Sequence, residues 1–180
     1  MFYEQLQPAV FRLCRFRCAD AETALDLTQE AFARAYRART TLRDPALARP
    51  WMLRIALNEC HAHHRRRAVS ALAAALLPSS LARLAGLASR EPGPEQAAEN
   101  RDRHGQVRAA IQALPARERD AMLLVGLQQL GYREAAAALE TSEDVVRQAV
   151  CRARRRLRAT LGGTGAEPGP ETLEPEGGQP

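Results

Sequence analysis

Lysine is missing from this sequence, aromatic residues make up only 4% of it, and no apolar run approaches the ~20 residues of a membrane span. With so few aromatics, any core must be built from Leu, Ala and Val, which suits helices better than sheets, so an all-α protein is expected. The missing Lys says less: all 26 basic residues are Arg, which a coding bias explains without function. Cysteines are few and scattered (Cys14, Cys18, Cys60, Cys151), too far apart for a disulfide framework, so free thiols in a reducing cytosol are expected. The opening residues lack the basic head, apolar middle and cleavage site of a secretory signal, and a cytoplasmic location without membrane insertion is expected. No Gly-rich phosphate loop, nucleophile elbow or pair of catalytic carboxylates occurs, so no enzyme and no cofactor are expected.

What is present is a chain of 180 residues, 46% hydrophobic and 26% charged, room for one medium or two small soluble globular domains. The stretch 162–180 holds Glu167, Glu171, Glu174 and Glu176 and no Arg, leaving 26 basic against 17 acidic side chains, an excess of nine, in residues 1–161. Such an excess fits a nucleic-acid partner and fits equally an Arg-rich solvated surface, so the placement of the charge has to decide.

Helical spacing of apolar residues runs from Phe2 to about Arg67, gives way to an Ala/Leu-rich stretch broken by Pro78 and by EPGPEQ at 91–96, and returns from Arg101 to Leu161. The expectation is two small helical domains, 1–67 and 102–161, with a flexible linker at 68–101 and an acidic disordered tail at 162–180. In the first domain Leu27, Ala31 and Ala35, with Phe32 and Tyr36, form one apolar helix face expected in the core, and Asp26, Gln29 and Glu30 fall on the other side. Pro45 and Pro50 interrupt the chain, and Pro50 then opens a helix with Trp51, Ile55, Asn58, Ala62 and Arg65 along one stripe. Its last turn holds Arg65, Arg66 and Arg67, cations favoured at a helix C-terminus.

In the second domain a compact helix over 132–140 is followed by a turn and by a helix from about Glu143, capped by Thr141 or Ser142. Val146, Val150, Ala153 and Leu157 form its buried stripe, and Arg147, Cys151, Arg154 and Arg158 run down another face. A short helix, a turn and an Arg-lined helix make the arrangement of a helix-turn-helix, whose second helix enters the DNA major groove, where the planar Arg fork bonds guanine or phosphate. A helical hairpin with a solvated basic face is the alternative at this point.

The Asp-x-x-Gln-Glu of 26–30, the Trp-x-x-x-Ile-x-x-Asn of 51–58, and Leu114-Pro115 followed by the helix-turn-helix resemble, in that order and spacing, the extracytoplasmic-function (ECF) class of sigma-70 RNA polymerase sigma factors. The resemblance covers residues 4–67 and 104–159 and implies a region 2-like domain, a region 4-like domain and a role in promoter recognition and transcription initiation. It implies that Asp26, Gln29, Glu30 and Arg34 contact the β′ subunit of core RNA polymerase, and that the second domain also meets the β subunit. It implies that the loop from Thr40 to Pro50, with Leu42 and Arg43, captures a flipped base of the −10 element, helped by Asn58 and by Arg54, Arg65 and Arg66 along the backbone. Trp51 is expected in the core with Ile55. Arg147, Gln148, Cys151, Arg152 and Arg155 take the positions that read the −35 promoter DNA, and an anti-sigma factor is an implied partner.

Four positions depart from the family pattern: Gly131 replaces a Ser/Thr cap, Ala135 a larger aliphatic residue, Glu140 a turn glycine, and Glu143-Asp144-Val145 a segment commonly ending Gly-Thr. Two carboxylates at the start of the recognition helix suit its dipole and repel phosphates, which weakens −35 recognition or makes it unusual. Two other readings stay open. One is a free-standing helix-turn-helix regulator. The other is a metal- or redox-sensing regulator using Cys14 and Cys18 with Cys60, His61, His63 and His64, although no recognised metal spacing is present and the metal set is expected to be empty. The acidic tail is also expected to screen the basic helix in the free protein.

Overall fold

The structure is a computed structural model that describes residues 2–18, 20–76 and 100–162; the tail and most of the linker expected from the sequence lie outside these. Among the described residues there are seven α-helices and no strand: α1 (Phe2–Arg17), α2 (Ala21–Arg37), α3 (Ala48–Leu76), α4 (Asn100–Gln112), α5 (Ala116–Met122), α6 (Tyr132–Leu139) and α7 (Glu143–Leu161). No helix among the described residues is long and apolar enough to cross a membrane.

Helices α1, α2 and α3 pack on one another as a bundle. Asp20 starts α2 by accepting a 2.6 Å hydrogen bond from the Thr23 N–H, which satisfies one of the orphan donors of the first turn. Ala24, Leu27, Thr28, Ala31 and Ala35 turn inward from α2 to meet Val10, Leu13 and Cys14 of α1 and Met52, Leu53, Ala56 and Leu57 of α3. Thr28 is a buried polar member of that face, and its hydroxyl is satisfied by donating to Ala24 O at 2.7 Å. Phe32 packs partly buried against this core, but Tyr36, expected beside it, is 70% exposed and lies under the Arg39 guanidinium, 4.5 Å from the ring centroid. Trp51 and Ile55 are buried as expected.

The third helix corrects the expected boundary at Arg67. It runs on to Leu76, because Ala68 to Leu76 offers strong helix formers and no breaker before Pro78. Val69 and Leu72 lie exposed on this extension.

Helices α5, α6 and α7 form the second cluster, with α4 against α7. A single wide turn at Leu123–Leu127 ends the run after α5, closed by Gln128 N–H to Leu123 O at 3.0 Å. Gly131 precedes α6 without a side chain to cap it, and the Glu134 carboxylate instead accepts from the Gly131 N–H at 2.9 Å. Ser142 caps α7, its Oγ accepting from the Val145 N–H. Val146, Val150 and Ala153 are buried and Leu157 half-buried, as their spacing indicates.

The two clusters share one continuous apolar core. The last carbonyls of α1 have no intrahelical donors, and side chains from elsewhere supply them. Arg108 donates to Arg15 O at 2.9 Å, Gln112 to Phe16 O at 2.7 Å, and His64 Nε2 to Arg17 O at 3.1 Å. Gln128, buried, donates to Ala9 O at 3.0 Å, and Arg49 donates to the Gln128 carbonyl.

Candidate functional site

On α2, Asp26, Gln29 and Glu30 project into solvent on the side opposite Leu27 and Ala31. Arg34 stands on the same outer surface, but its guanidinium is paired with Glu59 of α3, a carboxylate with only 6% of its side chain exposed. Arg66 of α3 reaches the neighbourhood of Glu30 at 3.8 Å. These side chains, with Arg37, line a shallow groove between α2 and α3, so the structure brings Arg66 to the α2 surface rather than to the 40–50 loop.

Two side-chain bonds help to hold that loop. Thr41 Oγ1 donates to Ala38 O at 2.7 Å, and Asp44 Oδ1 accepts from the Ala46 N–H at 2.9 Å. Thr41, Leu42, Arg43, Asp44, Pro50 and Trp51 surround a cavity of about 230 Å³, and Ala137 of α6 lines its far side. Leu42 is half-buried against the core and Arg43 is exposed. One helical turn apart on α3, Arg54 and Asn58 face a second cleft of about 370 Å³ that also holds His61, Asp120, Glu140 and Thr141. Arg54 is ion-paired with Glu140, and Arg65 extends into solvent beyond them.

Glu140 sits where the α6–α7 turn needs a left-handed residue, with φ 51 and ψ 47. The turn is closed by Thr141 N–H to Ala136 O at 3.1 Å, a bond usually found with glycine at this position. On α7, Arg147 pairs with Glu143 one turn back and lies over the Tyr132 ring, 4.7 Å from its centroid. Gln148, Cys151 and Arg155 are exposed. Arg152 and Arg156 flank Glu118 of α5, Nε to carboxylate at 3.3 and 3.0 Å, and the Glu118 side chain is 8% exposed. Nothing in the sequence signals this buried carboxylate, since a Glu in a first helical turn reads as ordinary capping polarity.

The thiols converge only in part. Cys14, Cys18 and Cys60 are buried, with the Cys14 and Cys60 sulfurs 3.9 Å apart. Cys60 shares its proton with the other two, and this, with burial, pushes its own acidity well down and its pKa up. The histidines go elsewhere: His61 Nε2 lies 3.0 Å from Asp120, and His64 bonds Arg17 O. Among the described residues no group of three or more His, Cys, Asp or Glu is arranged to hold a metal ion, so the Cys/His set drawn from the sequence is not assembled.

Residues 2–69 match the family model of Sigma-70 region 2, and residues 104–157 match that of Sigma-70, region 4. The chain is 32% identical over 136 residues to the RNA polymerase sigma factor NccH of Alcaligenes xylosoxydans xylosoxydans, covering 76% of this chain and 72% of that one. It is 31% identical over 152 residues to the ECF RNA polymerase sigma factor SigE of Mycolicibacterium smegmatis, covering 84% of this chain and 57% of the relative. In fold it is similar to the sigma factor RpoE solved with the anti-sigma factor NepR from Bartonella quintana, at a TM-score of 0.68 and 21% identity over 91% of this chain and 96% of that one.

Proposed function

The chain belongs to the sigma-70 family of RNA polymerase sigma factors, in its ECF class, and from that premise we propose how its surfaces divide the work of initiation. It is a specificity subunit: it binds core polymerase and directs it to promoters, and the polymerase performs the chemistry. The observation that carries this reading is the presence on one chain, in order, of region 2 and region 4 with the α2 carboxylate face exposed to solvent.

Asp26, Gln29 and Glu30 dock on a basic helical surface of the polymerase β′ subunit, and the second domain on the β subunit. Exposed carboxylates beside an amide suit such a contact, because they complement Arg and Lys without a large desolvation penalty. Arg34 supports that face from behind through Glu59.

The loop cavity beside Leu42 and Arg43 receives an unstacked base of the −10 strand, Asn58 supplies both a donor and an acceptor for a base edge, and Arg54 and Arg65 follow the phosphates, while Arg66 stays with Glu30 at the α2 surface. Extruding a base costs about a few kcal/mol, recovered by contacts of this kind. A leucine at the mouth offers apolar contact in place of aromatic stacking.

Arg147, Gln148, Cys151 and Arg155 meet the −35 duplex from α7. Arg152, with its side chain 44% exposed, joins them, and the Glu118 carboxylate beside its Nε makes Glu118 a positioning residue for Arg152 and Arg156. The protein works in the cytoplasm, where its polymerase and DNA are, and an anti-sigma factor is its regulatory partner.

Size-exclusion chromatography of the chain with bacterial core RNA polymerase tests the assignment. Coelution is expected. Separate elution, with duplex DNA bound by the chain alone, would assign it to the free-standing regulators.

A further inference from the structure

The second domain does not merely touch the first; it stands on the face assigned above to the melted strand. Ala137 walls the cavity beside Leu42 and Trp51. Glu140 takes the Arg54 guanidinium. Thr141 and Val145 share the cleft of Asn58 and His61. Behind them Asp120, only 5% exposed, lies between Arg17 at 3.3 Å and His61 at 3.0 Å, and Gln128 is tied to Ala9 O.

We infer that the α6–α7 turn is an internal occupant of the strand-binding face: in the free chain the Glu140 carboxylate holds Arg54 where a DNA phosphate would lie, and the turn must withdraw before a single strand enters. The inference deepens the strand-binding reading of α3 and rests on it. The chemistry is a competition of two anions for one guanidinium. Glu140 is mostly solvated, so its pair is weak alone. The contact is nevertheless intramolecular, and the buried Arg17–Asp120 and Gln128–Ala9 links hold the same surfaces together, so modest contacts act at high effective concentration. A carboxylate at a left-handed turn position that favours glycine is the feature that makes this turn, rather than a generic one, an anion for Arg54.

Two measurements on the full chain separate the parts. Trp51 is the one tryptophan and lines the same cavity as Ala137. Acrylamide quenching of its fluorescence is expected to rise in Glu140→Gly, which removes the carboxylate without straining the turn; unchanged quenching overturns the part given to Glu140 in holding the turn on this face. Masking is read from R54C/E140C in a C151S background, either bridged by bismaleimidoethane or capped singly with N-ethylmaleimide, so that both forms lack the same side chains. The probe is a fluorescent random-sequence single strand of about 15 nucleotides at low salt. The capped form, free to open, is expected to bind at least about tenfold more tightly than the bridged form, which is held closed. Equal affinities overturn the masking. Quenching that responds while neither the wild type nor the capped form binds any strand overturns the strand-binding reading itself, and the masking with it.

Discussion

Arg152 on α7 holds its Nε 3.3 Å from a carboxylate oxygen of Glu118, a side chain almost wholly buried beneath the helix assigned to the −35 duplex. A charge so placed is stabilising only while its partners remain, and Arg156 supplies the second at 3.0 Å. Both arginines are about half exposed, which screens the pairs, so Glu118→Ala is expected to lower unfolding stability by about 1–2 kcal/mol in urea titration. It is also expected to weaken duplex binding by an unfixed pair of arginines. Duplex affinity left at wild type would show that Glu118 does not set their orientation.

Asp26 lies exposed on the outer face of α2. Asp26→Arg therefore leaves the circular dichroism melt of the chain within about 0.5 kcal/mol of wild type, as for a surface substitution away from special features. Coelution with core polymerase is expected to be lost. An assembled holoenzyme with this variant would move the docking face elsewhere.

Glu140 has φ 51. Glu140→Gly and Glu140→Ala both remove the pair with Arg54, so their difference isolates the backbone: the Gly variant is expected to be more stable by about 1 kcal/mol, because Ala keeps the left-handed penalty that Gly escapes. Equal stabilities would mean that the turn relaxes out of the left-handed region.

His64 and His63 are both pushed below their ordinary pKa of 6.5, first by burial and then by neighbouring arginines, Arg17 for His64 and Arg67 for His63. The folded chain thus binds fewer protons at these sites than the unfolded chain just below pH 6.5. Their stabilising contribution is present above that pH and is lost as the pH falls, so the unfolding free energy drops as the pH falls below 6.5. His64→Gln, which keeps a donor near Arg17 O, is expected to flatten part of that slope. An unchanged slope would place the protonation elsewhere. Asp20, lowered by its bond from the Thr23 N–H, acts in a separate and more acidic window below 3.8.

Much of this architecture was legible in the residues. The alternation that buries Leu27, Ala31 and Ala35 and exposes Asp26, Gln29 and Glu30 follows from helical period alone, and the Ser142 cap and the Val146–Val150–Ala153 stripe were readable in the same way. Tyr36 misled because period assigns a side chain to a face without saying where the facing helices end; near the α2 terminus the ring stacks with Arg39 instead. The extension of α3 to Leu76 was missed because Pro and Gly further on weighed against a stretch whose own composition is helical. The joining of the domains had no sequence signal. It depends on side chains such as Arg108, Gln112 and Gln128 reaching unpaired or shared carbonyls of α1, and such bonds have neither period nor motif.

The most direct test of the account is transcription from a randomised promoter library by core RNA polymerase with and without the purified chain. The account predicts new transcripts that depend on the chain, initiate downstream of shared −35 and −10 sequences, and vanish with Asp26→Arg. Transcripts identical with and without the chain would contradict it.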